Sequence, residues 1–124
     1  SAEVELGPLR QIHRLLHQHT VDGIYNELKA IPEGNGTSVY DNTLVMHWSE
    51  LSQGDTHGNS NNLVMFGGGA KKLFRTGRYV NLASQNRKSF SDLLVYCFHF
   101  MGFTDVQSFG DPLLSQGGLP PGLT

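Results

Sequence analysis

His47-Trp48-Ser49-Glu50-Leu51-Ser52-Gln53-Gly54-Asp55-Thr56-His57 is the stretch of this sequence richest in groups able to do chemistry. A hydroxyl and a carboxylate come just past an apolar, strand-like run, and a second carboxylate and an imidazole follow within one loop. In open α/β sheets ligands bind beyond the carboxyl ends of the strands, where loops leave a crevice lined by fixed side chains. Glu50, Asp55 and His57 offer the oxygen and nitrogen donors that hold zinc, manganese or calcium. The same residues also suit a solvated loop in which Asp55 forms a turn, because loop positions are polar by default.

Other groups carry less. His13 and His17 stand four apart on one helical face, a chelating spacing, but no glutamate sits beside them as in the metalloprotease helix. With His19 they read more simply as exposed or packing histidines. Gly67-Gly68-Gly69-Ala70-Lys71-Lys72 invites comparison with a phosphate-cradling loop, yet it lacks the Gly-Lys-Ser/Thr ending and suits a tight reversal after a strand. Ser49 lacks the glycine-flanked elbow of hydrolase nucleophiles. Cys97 falls on an apolar helix face, where an inert thiol is expected.

The elements that would position these groups follow from periodicity. Leu9, Ile12, Leu15, Leu16, Ile24, Leu28 and Ile31 recur at helical spacing from Pro8 to Ile31, a rod of roughly 35 Å. Pro8 suits a first helical turn and Pro32 ends the pattern, while Thr20, Val21 and Gly23 are weak points where two shorter helices can meet. A turn cluster covers Glu33 to Asp41. Thr43 to Trp48 is a near-continuous apolar and β-branched run, which predicts a strand covered on both faces, as in a parallel sheet. A second short strand, Leu63 to Phe66, stops at Gly67. A helix beginning near Ser89 or Ser91 places Phe90, Leu93, Leu94, Cys97, Phe98 and Met101 on its apolar face. Ser89 with Asp92 resembles a capping box, and Gly102 is its C-terminal cap. Residues 105–124 are a Gly- and Pro-rich docking tail. The expected fold class is α/β: a partial layer with two helices and a few short strands running parallel.

Composition bounds what this layer can be. The 124 residues make one domain at most, or part of a larger one, and 38% hydrophobic residues with 15 Gly and 5 Pro give a lean core. Charged residues are only 16%, with a net charge of −2, which argues against a nucleic acid or an anionic membrane recognised by bulk charge. One cysteine excludes an internal disulfide framework. No apolar run approaches the roughly 20 residues of a membrane span. Without a leader at Ser1 the chain is expected to be cytosolic, already processed, or excised from something longer.

A pattern runs through the whole chain. Ala30-Ile31-Pro32-Glu33-Gly34-Asn35-Gly36-Thr37, then Asp41-Asn42-Thr43-Leu44-Val45, Ser49-Glu50-Leu51, His57, Gly67-Gly68-Gly69, Thr76-Gly77-Arg78, Met101-Gly102 and Phe109-Gly110-Asp111 follow in order. In this succession the chain resembles the C-terminal region of a bacterial family, domain of unknown function fifteen fifty-two. Members of that family are longer, usually begin with a twin-arginine export leader, and resemble more distantly the alkaline-phosphatase and sulfatase superfamily. The resemblance implies the C-terminal part of an alkaline-phosphatase-like fold, in the cell envelope, the periplasm or outside the cell. It puts Glu50 in the place of an acidic metal ligand and His57 in that of a later His, for metal-assisted hydrolysis of phosphate or sulfate esters. Trp48 departs from the pattern, which has a small residue before the Ser-Glu pair. The superfamily's nucleophile and first metal ligands lie in an N-terminal half that this chain does not contain.

Two readings follow. In one the chain is the C-terminal portion of an exported alkaline-phosphatase-like protein, inactive alone and holding at most part of a divalent-metal site. In the other it is a non-catalytic subunit or interaction module whose first helix and tail dock on other protein chains. An autonomous small hydrolase finds no nucleophile and base at recognisable spacing.

Overall fold

The computed structural model describes residues 2–73, 75–83 and 89–123, with side chains from Gly7 onward except that of Leu9. The chain divides into two compact units, Ser1–Asn42 and Thr43–Thr124.

The first unit is a helical rod closed by a polar turn. Helix α1 runs Ala2–His19, a π-helical turn Thr20–Tyr25 follows, and α2 continues as Asn26–Ala30. Pro8 lies inside α1 rather than at its start, so the carbonyl one turn earlier loses its usual N–H donor. The weak point at Thr20, Val21 and Gly23 becomes the π turn, where the Thr20 hydroxyl donates to Leu16 O at 3.1 Å. Its sequence cause is visible in the apolar stripe. Ile12, Leu16, Ile24 and Leu28 are separated by multiples of four, and each step of four overshoots an α-helical turn by about 40°. The wider π turn absorbs that drift and keeps the stripe on one side. Ile12, Leu16 and Ile24 are exposed on it. Ile31 is extended (φ −97°, ψ 109°), as the residue before a proline prefers. The chain then reverses: Val39 N–H donates to Ile31 O at 2.9 Å, and Asn42 Nδ2 binds Thr37 Oγ1 and the Glu33 carboxylate. Tyr25 and Tyr40 pack with ring centres 5.5 Å apart.

The second unit holds strands β1, Val45–Trp48, and β2, Val64–Gly67, and helix α3, Ser91–Phe100. The strands are antiparallel, with Val45 opposite Gly67 and Trp48 opposite Val64. This corrects the parallel layer expected from the apolar runs. A parallel pair needs a crossover, usually helical, and residues 49–63 contain no helix, so the chain returns as a long hairpin. Nor is either strand fully covered, since no residue of β1 or β2 is buried. Met46, Trp48, Val64 and Phe66 share one face of the ladder. That face meets the helix: Phe66 lies 6.3 Å from the Tyr96 ring, and Trp48 stacks on Phe90 at 5.7 Å.

The core gathers on α3, where Asp92, Leu93, Val95 and Tyr96 are buried. This face is rotated from the expected one, which left out Val95 and Tyr96 and included the exposed Met101. The rotation comes from the tail. Asp92 Oδ1 accepts from Ser115 Oγ at 2.8 Å and from Gln116 N at 3.1 Å, Tyr96 Oη donates to Leu123 O at 2.8 Å, and Pro120 is buried. Residues of the 105–124 tail thus pack on this chain's own helix; Thr124 lies outside the described residues. Phe98 touches Phe103 and Phe109 on the expected face, so a helix apolar almost all round is covered on both sides. Ser89 Oγ accepts from Ser91 N at 3.1 Å at the start of α3. At its end Gly102 N–H reaches His99 O and Phe103 N–H reaches Phe98 O, both at 3.0 Å, with Gly102 at φ 95°.

Candidate functional site

Residues 49–63 leave β1 and return to β2 at the same end of the ladder, and the loop is shaped by its own hydrogen bonds. Ser52 N and Ser52 Oγ donate to Gly58 O at 2.8 and 3.0 Å, closing a small inner ring. Asn62 Nδ2 donates to Ser49 O and Glu50 O, each at 3.1 Å, which ties the end of the loop to its beginning. Those two carbonyls fix the amide's orientation, because only its nitrogen can donate to both.

The three candidate ligands sit on this frame and are exposed. Glu50 lies two residues past the end of β1, and its carboxylate makes no hydrogen bond among the described residues. Asp55 Oδ1 accepts from Thr56 N at 2.8 Å, so part of its capacity is spent on a turn. His57 adopts a left-handed backbone, φ 49°, which puts the imidazole at the tip of the reversal. A fourth oxygen had no signal in the sequence, where Asn59, Asn61 and Asn62 look alike. Asn62 Oδ1 is buried and has no hydrogen-bond partner among the described residues.

These donors do not make a metal centre by themselves. Among the described residues no three of His, Cys, Asp and Glu are gathered where they could hold an ion. Zinc, manganese and calcium each need more ligands than one uncommitted carboxylate and one imidazole. The loop therefore does not fit a metal held by this chain alone, and no hydrolytic step is assigned to it.

The neighbouring groups have other tasks. Trp48, 48% exposed, spends one ring face on Phe90 and so pins the end of β1 to the start of α3. The glycine run lies at the opposite end of the four-residue ladder from Glu50, roughly 13 Å along the strands. Ala70 N–H donates to Thr43 O at 3.1 Å, so a backbone donor of the would-be phosphate loop is spent on the protein itself. Gly68 approaches the same carbonyl so closely that a Cβ would lie 2.0 Å from it. Ala70, Lys71 and Lys72 follow in a left-handed turn, φ 45°, 52° and 61°. Cys97 is half-buried, and burial pushes its thiol pKa up against a smaller opposing pull from a backbone hydrogen bond. His13 is exposed and His17 half-buried on α1, with no third ligand beside them among the described residues.

No protein-family model, curated protein or solved structure matches the chain. No helix among the described residues is long and apolar enough to cross a membrane.

Proposed function

We propose that this chain is the C-terminal portion of an exported alkaline-phosphatase-like protein of the envelope, periplasm or exterior, without catalytic activity alone. In this reading Glu50 and His57, with Asp55 beside them, are its contribution to a divalent-metal site whose other ligands come from elsewhere in the larger protein. The observation that carries it is the uncommitted Glu50 carboxylate, exposed two residues past β1 and sharing with His57 a loop closed by its own hydrogen bonds. The order Ser49-Glu50-Leu51 and then His57 is also the order of the family that the chain resembles.

Metal analysis by mass spectrometry tests this reading on the longest form of the protein that the source produces. Stoichiometric zinc, manganese or calcium that is lost in Glu50→Ala and His57→Ala supports it; metal retained in both variants overturns it. Turnover of an aryl phosphate or aryl sulfate by these 124 residues alone, abolished in Glu50→Ala, overturns the inactivity.

A second reading, a non-catalytic subunit or interaction module, is favoured by the exposed stripe of Ile12, Leu16 and Ile24. Contiguous apolar surface rimmed by polar residues is the kind of surface on which another chain docks. A stable complex with another protein chain, lost in Leu16→Asp and free of metal, is the outcome that selects it.

A further inference from the structure

A cleft beside the C-terminal half of α3 stands apart from the 49–63 loop and from the metal reading. Leu73, Tyr96, His99, Phe100, Thr104 and Leu119 line about 120 Å³. Its polar groups are largely committed to backbone: Tyr96 Oη donates to Leu123 O, and His99 Nε2 donates to Val106 O at 2.7 Å. What remains is an aromatic and aliphatic wall. Apolar cavities on the order of 150 Å³ take up benzene, so one ring is the right scale for this space.

One cation stands beside the cleft. Lys71 Nζ lies 5.6 Å from the centre of the Phe100 ring, and the left-handed turn at Ala70, Lys71 and Lys72 fixes where that side chain starts. Lys71 pairs with no carboxylate among the described residues. The sequence explains why: no Asp or Glu occurs between Asp55 and Asp92, whereas Lys71, Lys72, Arg75, Arg78, Arg87 and Lys88 all fall there, six of the 9 Lys and Arg. Unbalanced positive charge beside a low-dielectric wall concentrates its field on the opening.

We propose that this cleft binds a small aromatic anion, with the ring against Leu73, Phe100 and Leu119 and a carboxylate, sulfate or phosphate group held by Lys71. The wall supplies apolar burial and the rim supplies charge-assisted hydrogen bonds, so both parts of the ligand are needed.

Titration of the ¹⁵N-labelled chain with benzoate, phenyl sulfate and phenyl phosphate, followed by amide shifts, tests the site. The expected result is saturable shifts confined to Tyr96, His99, Phe100, Thr104 and Leu119 for at least one anion, the tightest naming the head group. Benzyl alcohol keeps the ring and removes the charge, and should bind at least about five-fold more weakly. Lys71→Gln, at an exposed position, should weaken the anion by a similar factor while leaving the remaining spectrum unchanged. Absence of shifts at tens of millimolar of all three anions overturns the proposal. So does equal affinity for benzyl alcohol, or a Lys71→Gln variant that binds as the parent does.

Discussion

Ser115 Oγ donates to Asp92 Oδ1 at 2.8 Å, and through this contact a fully buried carboxylate in the first turn of α3 holds the glycine-rich tail. The position suits a negative charge, because the amino end of a helix carries partial positive charge and unsatisfied N–H groups. Removing the carboxylate would leave Ser115 Oγ and Gln116 N without this acceptor inside the protein. Asp92→Ala should therefore cost on the order of 3 kcal/mol, and Ser115→Ala about 1 kcal/mol, in urea unfolding. Equal and small losses for the two variants would show that the tail is held by Pro120 and Tyr96 instead.

Gly68 has φ 96° and no room for a side chain, since its Cβ would meet Thr43 O at 2.0 Å. Gly68→Ala should lower stability by more than about 2 kcal/mol, because backbone must move at the junction of β2 with the left-handed turn. Gly54 is the control, with open space around it and no positive φ. Gly54→Ala should stay within about 0.5 kcal/mol of the parent by thermal unfolding.

Tyr96, 3% exposed, has its phenol pushed up to about 12 by burial, with Arg78 pulling weakly the other way. A pKa raised by folding means that the folded state holds the proton more tightly than the unfolded chain does. The resulting stability is complete below the ordinary tyrosine value near 10 and is lost as pH rises toward 12. Melting temperatures measured from pH 9 to pH 12 should fall more steeply for the parent than for Tyr96→Phe. Parallel curves would mean that the phenol binds its proton equally tightly in the folded and unfolded states.

Cys97 should react with iodoacetamide at neutral pH at least about ten-fold more slowly in the folded protein than in urea, because burial raises the thiol pKa and restricts access. Equal rates would place the thiol at the surface.

Where local chemistry decides the backbone, the structure was readable beforehand. Pro32 stops the rod at Ile31, Gly102 closes α3, and the weak point around Gly23 is where the helix changes pitch. Strand direction was not readable in the same way. An apolar run such as Thr43 to Trp48 carries no information about its neighbour's polarity, which depends on whether residues 49–63 form a crossover helix or a loop. The buried face of α3 escaped for a different reason: Asp92 finds its partner at Ser115, 23 residues on, and no periodicity within the helix reports a contact at that separation. At the candidate site, Glu50, Asp55 and His57 were singled out by residue type and do share one loop. Asn62, which holds that loop together, was hidden among the neighbouring asparagines.

The π turn at Thr20–Tyr25 works as a phase corrector. With it, Ile12 and Leu16 before the turn stay in step with Ile24 and Leu28 after it. Were the same residues wound as a plain α-helix, the eight steps from Leu16 to Ile24 would turn about 800° and leave the downstream apolar positions about 80° away from the upstream ones. Deleting one residue instead leaves seven steps, about 20° short of two full turns, so the stripe stays in phase without the π turn. In this segment the extra residue and the change of pitch cancel, and only removing one without the other would split the surface.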